Sequence, residues 1–579
     1  MPLIDLKYFP SQQLLDHSAE SSYGEDPRPE SSRRQTGKNL QLVICVLLVE
    51  LCERFTFFGT VCNMILFCTI KLGYGNHEAA IVNLVFVGTS TLTPVLVSWF
   101  VESCAGRTKV IYACALLHFV GTALLPVVAF PFEDFYIDTR NIAHGLGHRE
   151  QTALFYAGLL MASVGSGGIR AIVCPLGAYN LQGYKRTELM SFFNWFYWLV
   201  NLNSLVVFSG IAYIQQSVAK NLGFLIPFMS VVMSLITIHM IRGELLRRPK
   251  KGAALPIAFG VFTNALRMCC VTYRHVGGCV TTWLDRAKEN NGGWYSESHV
   301  ESTKALVRLF PLFTSQILYR TCATQISSGY FIQTMNSDLS FNGFLLPIAA
   351  MKIISIIPLL IIAPCLECFN SYVFSKTGYG LSPSVSIICG HLGAALSLLL
   401  AGVYEMQRKN FPLVEQTLSG KVLQVSSMSA FQLAPQYALL GFAEAMVTPS
   451  CSVITFRFAP SRLRSTSMHF LTLFNAAGCF TGALMVDAVF LGSGGDWYPD
   501  LLPRGHFERF FFFLASVMFL NALGFWMISR RYDDLDQEMD QGFRGDLLEE
   551  KLLQHEKSLK FYESIYEWSS HFSPMETTV

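Results

Sequence analysis

Apolar stretches long enough to cross a bilayer core, which takes about 20 residues of helix, follow one another along the chain with short polar breaks between them. They lie near residues 40–70, 79–100, 109–131, 152–177, 190–214 and 222–242, and then 304–334, 343–366, 383–404, 432–457, 467–491 and 508–529. The pattern predicts twelve membrane spans, 1 to 12 in chain order, as six, a gap, and six. It divides the chain into a disordered cytosolic N-terminal tail (1–38), a six-helix bundle (39–242), a cytosolic linker with an interfacial helix (243–303), a second six-helix bundle (304–530) and a cytosolic C-terminal tail (531–579). The expected fold is an all-α integral membrane protein of twelve transmembrane helices in two six-helix halves.

Basic residues orient the bundle. The gap opens with RGELLRRPKKG from Arg242, and an excess of Lys and Arg marks the cytoplasmic side of a membrane protein. Arg33 and Arg34 before span 1, Arg107 and Lys109 between spans 2 and 3, Lys185 and Arg186 between 4 and 5, Arg462 and Arg464 between 10 and 11, and Arg530 and Arg531 after 12 fall on that same side if each stretch crosses once. Both termini are then cytosolic. Six plus six around a basic linker resembles the major facilitator architecture, in which a central cavity between the halves opens alternately to each side. The apolar patch from Ala253 to Leu266 is too short to span and is expected to lie along the interface or pack on the bundle. The tail beyond Tyr532, with GDLLEEKLLQHEKSLKFYESIYEW, fits an amphipathic helix with a cytosolic partner, or a solvated segment with none.

Composition narrows the class. Hydrophobic residues make up 51% of the chain and charged ones 15%, at a mean hydropathy of +0.38, whereas soluble domains carry roughly a quarter charged residues. A net charge of +2 without a block of like charge leaves no footprint for nucleic acid. The sixteen cysteines sit mostly inside apolar runs and read as small core residues. No GxxxxGK[ST] loop is present for ATP, and no nucleophile or metal cluster stands in a catalytic context, so the chain is not expected to be an enzyme. No cofactor is expected.

Charge inside the spans is costly and marks ion or solute pathways. Span 1 carries ELCERFTFFG, where spacings of three and four place Glu50, Glu53 and Arg54 on one helical face. Such a cluster fits a site where a carboxylate beside an arginine trades a proton for a substrate charge, or a structural ion pair that locks span 1 to a neighbour. Span 4 ends in GSGGIRAIVCPLG, where Arg170 lies beside small residues that let helices approach closely. Its guanidinium either binds the acidic end of a substrate in bidentate fashion or snorkels to the interface. In span 5, Asn201 and Asn203 point to different sides, so that one lines the cavity and the other bonds a neighbouring helix. Span 7 contributes Tyr319, Arg320, Gln325, Ser327, Tyr330 and Gln333, a polar density expected along a pathway. Glu444 in span 10 reads as a gate residue, a proton carrier, or a protonated packing group.

These segments resemble, in order and through most of the chain, the proton-coupled oligopeptide transporters of solute carrier family 15. The signature ExxERFxYYG of that family's first helix is similar to Glu50–Gly59; NLVFVGTSTLTPVLVSWFVESCAGRTKVI resembles its second helix and following loop. GSGGIRA resembles the fourth-helix motif of the peptide and histidine branch, FYWLVNLNSL resembles FYxxINxGSL, and FAEAMVTPSCSVITFRFAP resembles the tenth-helix motif with its Ala-Pro ending. The resemblance implies proton coupling through Glu50 and Glu53, peptide carboxylate contacts from Arg54 and Arg170, and a cavity wall that includes Tyr319 and Gln325. It also exposes departures. Val453 stands where that motif has the carboxylate expected to hold the peptide amine. Phe57 and Phe58 replace a tyrosine pair, Asn203 replaces a glycine, Glu102 replaces an aspartate, and Tyr179 and Asn180 stand where the branch has Asp and Gln. Losing a charge partner in a desolvated site commonly costs several kcal/mol, which abolishes ordinary dipeptide affinity unless Glu444 compensates.

The expected function is proton-coupled symport of di- and tripeptides or histidine-like amino acids, with Glu50, Glu53 and Glu444 handling protons and Arg54, Arg170, Asn201, Tyr319, Gln325 and Val453 forming the solute site. The alternatives are a transporter-derived sensor or scaffold, and a carrier of an organic anion without an amine. Its partners are the small solute, protons, membrane lipid and, through the tail, a cytosolic protein. The membrane is the plasma membrane or an endolysosomal one.

Overall fold

The computed structural model describes residues 29–103, 106–128, 147–180, 199–218, 220–242, 254–271, 282–362, 365, 382–460, 463–500, 502, 505–530 and 532. Apolar sequence with internal hydrogen bonding gives helices over the predicted spans. They are α1 (Pro29–Val61), α2 (Asn76–Ser103), α3 (Arg107–Val128), α4 (His148–Asn180), α5 (199–218) and α6 (Lys220–Met240), followed by α7 (Ala254–Val271) and α8 (Glu297–Val307) in the linker. The second half holds α9 (Phe310–Ala323), α10 (Ile348–Ile362), α11 (Pro383–Lys409), α12 (Ala434–Phe458), α13 (Arg464–Ser493) and α14 (Phe507–Arg530). Among the described residues, eight helices are long and apolar enough to cross a membrane. The chain divides into two units, Met1–Leu523 and Gly524–Val579; within the second, Phe525 stacks on Tyr532.

Several boundaries differ from the sequence pattern. Helix begins at Pro29, inside the stretch expected to be disordered up to residue 38. Span 1 is broken at Cys62 and Asn63, after which a short helix runs over Met64–Ile70. Span 7 is also broken, into α9, a 3₁₀ turn over Thr324–Ser327 and a helix over Gly329–Met335. The structure is not purely helical. Strands β1 (Ser337–Asp338), β2 (Ser340–Phe341), β3 (Phe344–Leu345), β4 (Leu413–Leu418) and β5 (Lys421–Ser429) form a three-stranded sheet in the order β1-β5-β4 and a β2-β3 hairpin. Ser419 and Gly420, both at positive φ, turn β4 into β5. The C-terminal tail beyond Tyr532, and the basic residues Lys185, Arg186, Arg462 and Arg531, lie outside the described residues.

Small residues set how close the helices come. A Cβ on Gly165 would run into the His118 backbone of α3, and one on Gly167 would sit 2.5 Å from Thr93 Cβ of α2, so the GSGG run seats α4 against both neighbours. Proline shapes the packing too. Pro227 in α6 offers no N–H to the Gly223 carbonyl one turn earlier, and Gln215 Nε2 donates to that carbonyl instead at 3.0 Å. Gln215 lies in the second of two π-helical stretches of α5, Val207–Ile211 and Ile214–Val218.

Hydrogen bonds join the two halves at the end that carries the loops after α5, α9 and α13. Asn76 Nδ2 donates to the Pro499 and Asp500 carbonyls at 3.0 Å each, and its N–H donates to Asp500 Oδ1 at 2.9 Å. Gln216 Nε2 donates to Leu346 O at 3.1 Å, its Oε1 accepts from Ile348 N at 2.9 Å, and its carbonyl accepts from Ser419 Oγ at 3.1 Å. His77 stacks on Phe490 with centroids 3.5 Å apart.

The described part of the linker, 254–271 and 282–303, is folded. Val261 and Ala265 of α7 pack against Leu284, Ala287 and Val300, while Phe259 and Phe262 stack on Phe470 of α13 and Phe310 of α9. Buried Asp285 accepts from Thr282 N and Oγ1, and from Lys304 at 2.6 Å and Lys288 at 3.1 Å. Lys288 also reaches Glu297 and Glu301. Burial alone would raise the Asp285 carboxyl, yet the bonds from Lys304, Thr282 and Lys288 hold it well below the ordinary carboxylate range.

Candidate functional site

The signature of α1 folds into a buried charge cluster because three residues spaced by three and four share a helical face. Glu50 and Glu53 are 3% and 1% exposed. Arg54 Nε lies 3.6 Å from Glu50 Oε1 and 3.7 Å from Glu53 Oε2, so one guanidinium serves both carboxylates. The cluster then reaches across to α4, where Arg170 Nε stands 3.4 Å from Glu53 Oε1 and Ser166 Oγ donates a very short hydrogen bond to the same oxygen. Glu50 Oε2 and Glu53 Oε2 have no hydrogen-bond partner among the described residues.

Arg170 is held within the bundle. Its Nη2 donates to Ser90 O at 2.7 Å and to Ser90 Oγ at 2.5 Å, and its guanidinium lies 5.5 Å from the Phe57 ring centroid. Ser90 is four residues before Pro94 in α2, so its carbonyl lacks the usual intrahelical donor and is free to take the arginine. Phe57, which stands in the tyrosine pair's place, thus contributes a ring face to Arg170 in place of a hydroxyl. Behind the cluster, buried His118 of α3 meets the Ala162 carbonyl through Nδ1 at 3.1 Å.

The other expected site residues are placed as follows. Asn203 Nδ2 donates to Leu51 O of α1 at 2.9 Å, and Asn201, half-buried, lies on another side of α5. Tyr319 is not on an open wall here: it is 2% exposed and stacks on buried His391 of α11. Gln325, 1% exposed, donates to Thr321 O and accepts from Ser328, within the break of span 7. Both belong to the packed interior of the second half. Glu444 pairs with Arg320 of α9 at 3.5 Å. Val453 is half-buried on the same helix as Glu444. Nine residues separate the two, about 13 Å along an ideal helix and on opposite sides of it, so Glu444 does not occupy the place of the missing carboxylate.

Sequence reasoning did not single out Ser90, Ser166 or His118, nor did it pair Arg320 with Glu444. A proline four residues after a serine was the available signal for Ser90. Cys45, Cys52, Cys62, Cys68, Cys114, Cys322, Cys365, Cys389, Cys451 and Cys479 are free, and among the described residues no cluster of His, Cys, Asp and Glu could hold a metal.

The profile of the POT family (PTR2) matches residues 108–493. Human solute carrier family 15 member 5 is 57% identical over 542 residues, covering 94% of either chain. Protein NRT1/PTR family 8.5 of Arabidopsis thaliana is 27% identical over 554 residues, covering 86% of this chain and 90% of its own. The POT family transporter PepTSo has a TM-score of 0.65 at 18% identity, over 85% of this chain and 98% of its own. An autoinhibited POT family peptide transporter gives 0.64 at 18%, over 85% and 97%. At that identity the solved structures speak to the fold alone, which is that of POT family transporters. The profile match over more than half the chain and the 57% identity place this chain in the POT family, as a multi-pass membrane transporter and not an enzyme.

Proposed function

We propose that this chain is a proton-driven symporter that carries small peptides or histidine-like amino acids by alternating access. The observation that carries the reading is Glu53, whose one carboxyl oxygen is shared by Arg170 and Ser166 of α4 while the other faces Arg54. Protonation of that carboxyl releases Arg54 and Arg170 to bind a substrate carboxylate; deprotonation takes them back. Proton and solute thereby compete for the same two guanidinium groups, which is the coupling a symporter needs.

The bonds between the halves support an alternating mechanism. Asn76, Gln216 and Ser419 close the end opposite the basic loops at Arg107 and Arg464, so with those loops cytosolic this conformation is the one that faces the cytosol. Both termini then lie in the cytosol, and the membrane is the plasma membrane or an endolysosomal one. Val453 favours a second reading, a carrier of organic anions or a solute sensor, because it leaves the amine end of a peptide without a counter-charge.

Proteoliposomes with an imposed inward proton gradient, offered labelled dipeptides, histidine and organic anions, test the reading. Accumulation above the external concentration is expected for at least one of them. Absence of gradient-driven uptake for every solute would leave the sensor reading standing in its place.

A further inference from the structure

The hairpin of β4 and β5 belongs to the second half, and its root is rigid. β5 pairs with β1 in parallel and with β4 antiparallel, Ser426 N donates to Asn336 O at 3.0 Å, and Ser426 Oγ donates to Arg408 O at 2.7 Å. Arg408 and Glu405 of α11, 1% and 0% exposed, form a two-point pair at 2.6 and 3.0 Å, and Arg408 Nη1 donates to the Asn336 carbonyl at 3.3 Å. A hairpin turn normally projects into solvent, so exposure should grow toward the tip. Here it falls. Leu413 and Val414, at the start of β4, are 49% and 39% exposed, whereas Leu418, beside the turn, is 0% exposed. Ser419 lines a recess whose other walls all belong to the first half, among them Asn63, Leu66 and Ile70 at the break of span 1, Gln215 of α5 and Phe224 of α6. Its hydroxyl donates to Gln216 O of α5 at 3.1 Å.

The turn sequence fits a latch. The β2-β3 turn sets Asn342 and Gly343 at positive φ, the pair such turns favour, while the β4-β5 turn sets Ser419 there at φ 51°, ahead of Gly420 at 82°. Serine takes that conformation less readily than asparagine, and what it adds is the hydroxyl that reaches Gln216. We propose that the β4-β5 hairpin is a strap across the closed end, a stiff arm of the second half whose tip, Leu418 and Ser419, is latched into the first. Withdrawal of that tip then sets how often this end opens. The proposal rests on the alternating-access reading only for the existence of a state open at this end. The latch is one neutral hydrogen bond and one buried leucine, contacts that can be released in each cycle, while the buried ion pair at the root would be costly to break and stays intact. Gln216 also holds Leu346 and Ile348 through its side chain, so one residue of α5 ties both the strap and the start of α10 to the first half.

Cys62 reports the opening. It is 2% exposed and lines a cavity shared by the halves, with Phe208 from one and Ser327, Ile348 and Tyr437 from the other, so parting of the halves at this end uncovers it. The full-length protein in lipid nanodiscs is reacted with a maleimide, and the rate is followed on the Cys62 peptide by mass spectrometry. Ser419→Gly keeps the turn and removes the hydroxyl; it should raise the rate about five-fold, the effect of one net hydrogen bond. Leu418→Ala should raise it about ten-fold or more, and Leu418→Met, which keeps the volume, should stay within about two-fold of wild type. Val422→Thr, at a position 58% exposed on the same hairpin, is the control and should leave the rate unchanged. Unchanged labelling in Ser419→Gly overturns the proposal even where Leu418→Ala fails to fold, and so does a rise in Val422→Thr equal to that of the tip variants. Labelling needs neither solute nor proton gradient, so absence of driven uptake with these rates shifted would remove the symporter reading and leave the strap standing.

Discussion

Arg170 donates to the Ser90 carbonyl, a group left without a helical partner because Pro94 has no N–H to offer it. A backbone defect in α2 thus fixes the arginine that, in the proposed function, Glu53 shares with the substrate carboxylate. Pro94→Ala restores the intrahelical bond and makes it compete with the guanidinium. Hydrogen bonds to charged groups are worth roughly 1.5–3 kcal/mol, so the variant should weaken solute binding by at least several-fold while the protein stays folded. Isothermal binding with unchanged thermal stability checks this; an unaltered Kd would detach Pro94 from the positioning of Arg170.

Glu53→Gln removes the proton switch but keeps the shape and leaves a carbonyl for Ser166. The variant should exchange solute across the membrane and lose accumulation against a gradient, its internal-to-external ratio falling to about one. Full gradient-driven accumulation in this variant would take Glu53 out of the coupling role.

Gly165→Val drives a branched side chain into the His118 backbone of α3. Overpacking of this kind costs about 1–3 kcal/mol, and here it also spreads α3 from α4 and shifts Arg170. The thermal midpoint should fall and uptake with it. Gly210→Ala, where a Cβ meets nothing within 4 Å, is the control and should leave both close to wild type.

The linker offers a pH test outside the membrane. The Asp285 carboxyl is depressed in the folded protein, so its contribution is present above its unfolded value, about 3.9, and is lost as pH falls through the lower folded value. At pH 7, Asp285→Asn should speed amide exchange over 282–307 by an amount worth roughly 3 kcal/mol, because Lys288 and Lys304 lose their buried partner. Well below pH 4 the difference between wild type and variant should shrink. Glu301, half exposed, adds little to it.

Val453→Glu puts a carboxylate where the resemblance expects the peptide amine to be held. It should strengthen uptake of alanyl-alanine by about ten-fold or more, since a desolvated charge pair is worth more than the 1.4 kcal/mol that a decade requires. An unchanged KM would move the amine pocket away from Val453.

The sequence by itself determined that apolar helices of membrane-spanning length recur along the chain, and it determined the charge cluster of α1, because hydrophobic length and residue spacing on one helix are local properties. Glu50, Glu53 and Arg54 needed no knowledge of any other segment to be placed on one face. The strands β4 and β5 escaped notice because apolar spans dominate the pattern and a polar hairpin between two of them reads as a loop. Tertiary structure alone decided that Ser90 and Ser166 bracket Arg170, that Glu444 is taken by Arg320, that Tyr319 and Gln325 turn into the packed interior, and that Lys352 faces the ring of Phe208. Each of those relationships joins residues dozens to hundreds of positions apart, and which helices meet is set by glycine contacts and proline defects whose partners a single chain of letters does not name.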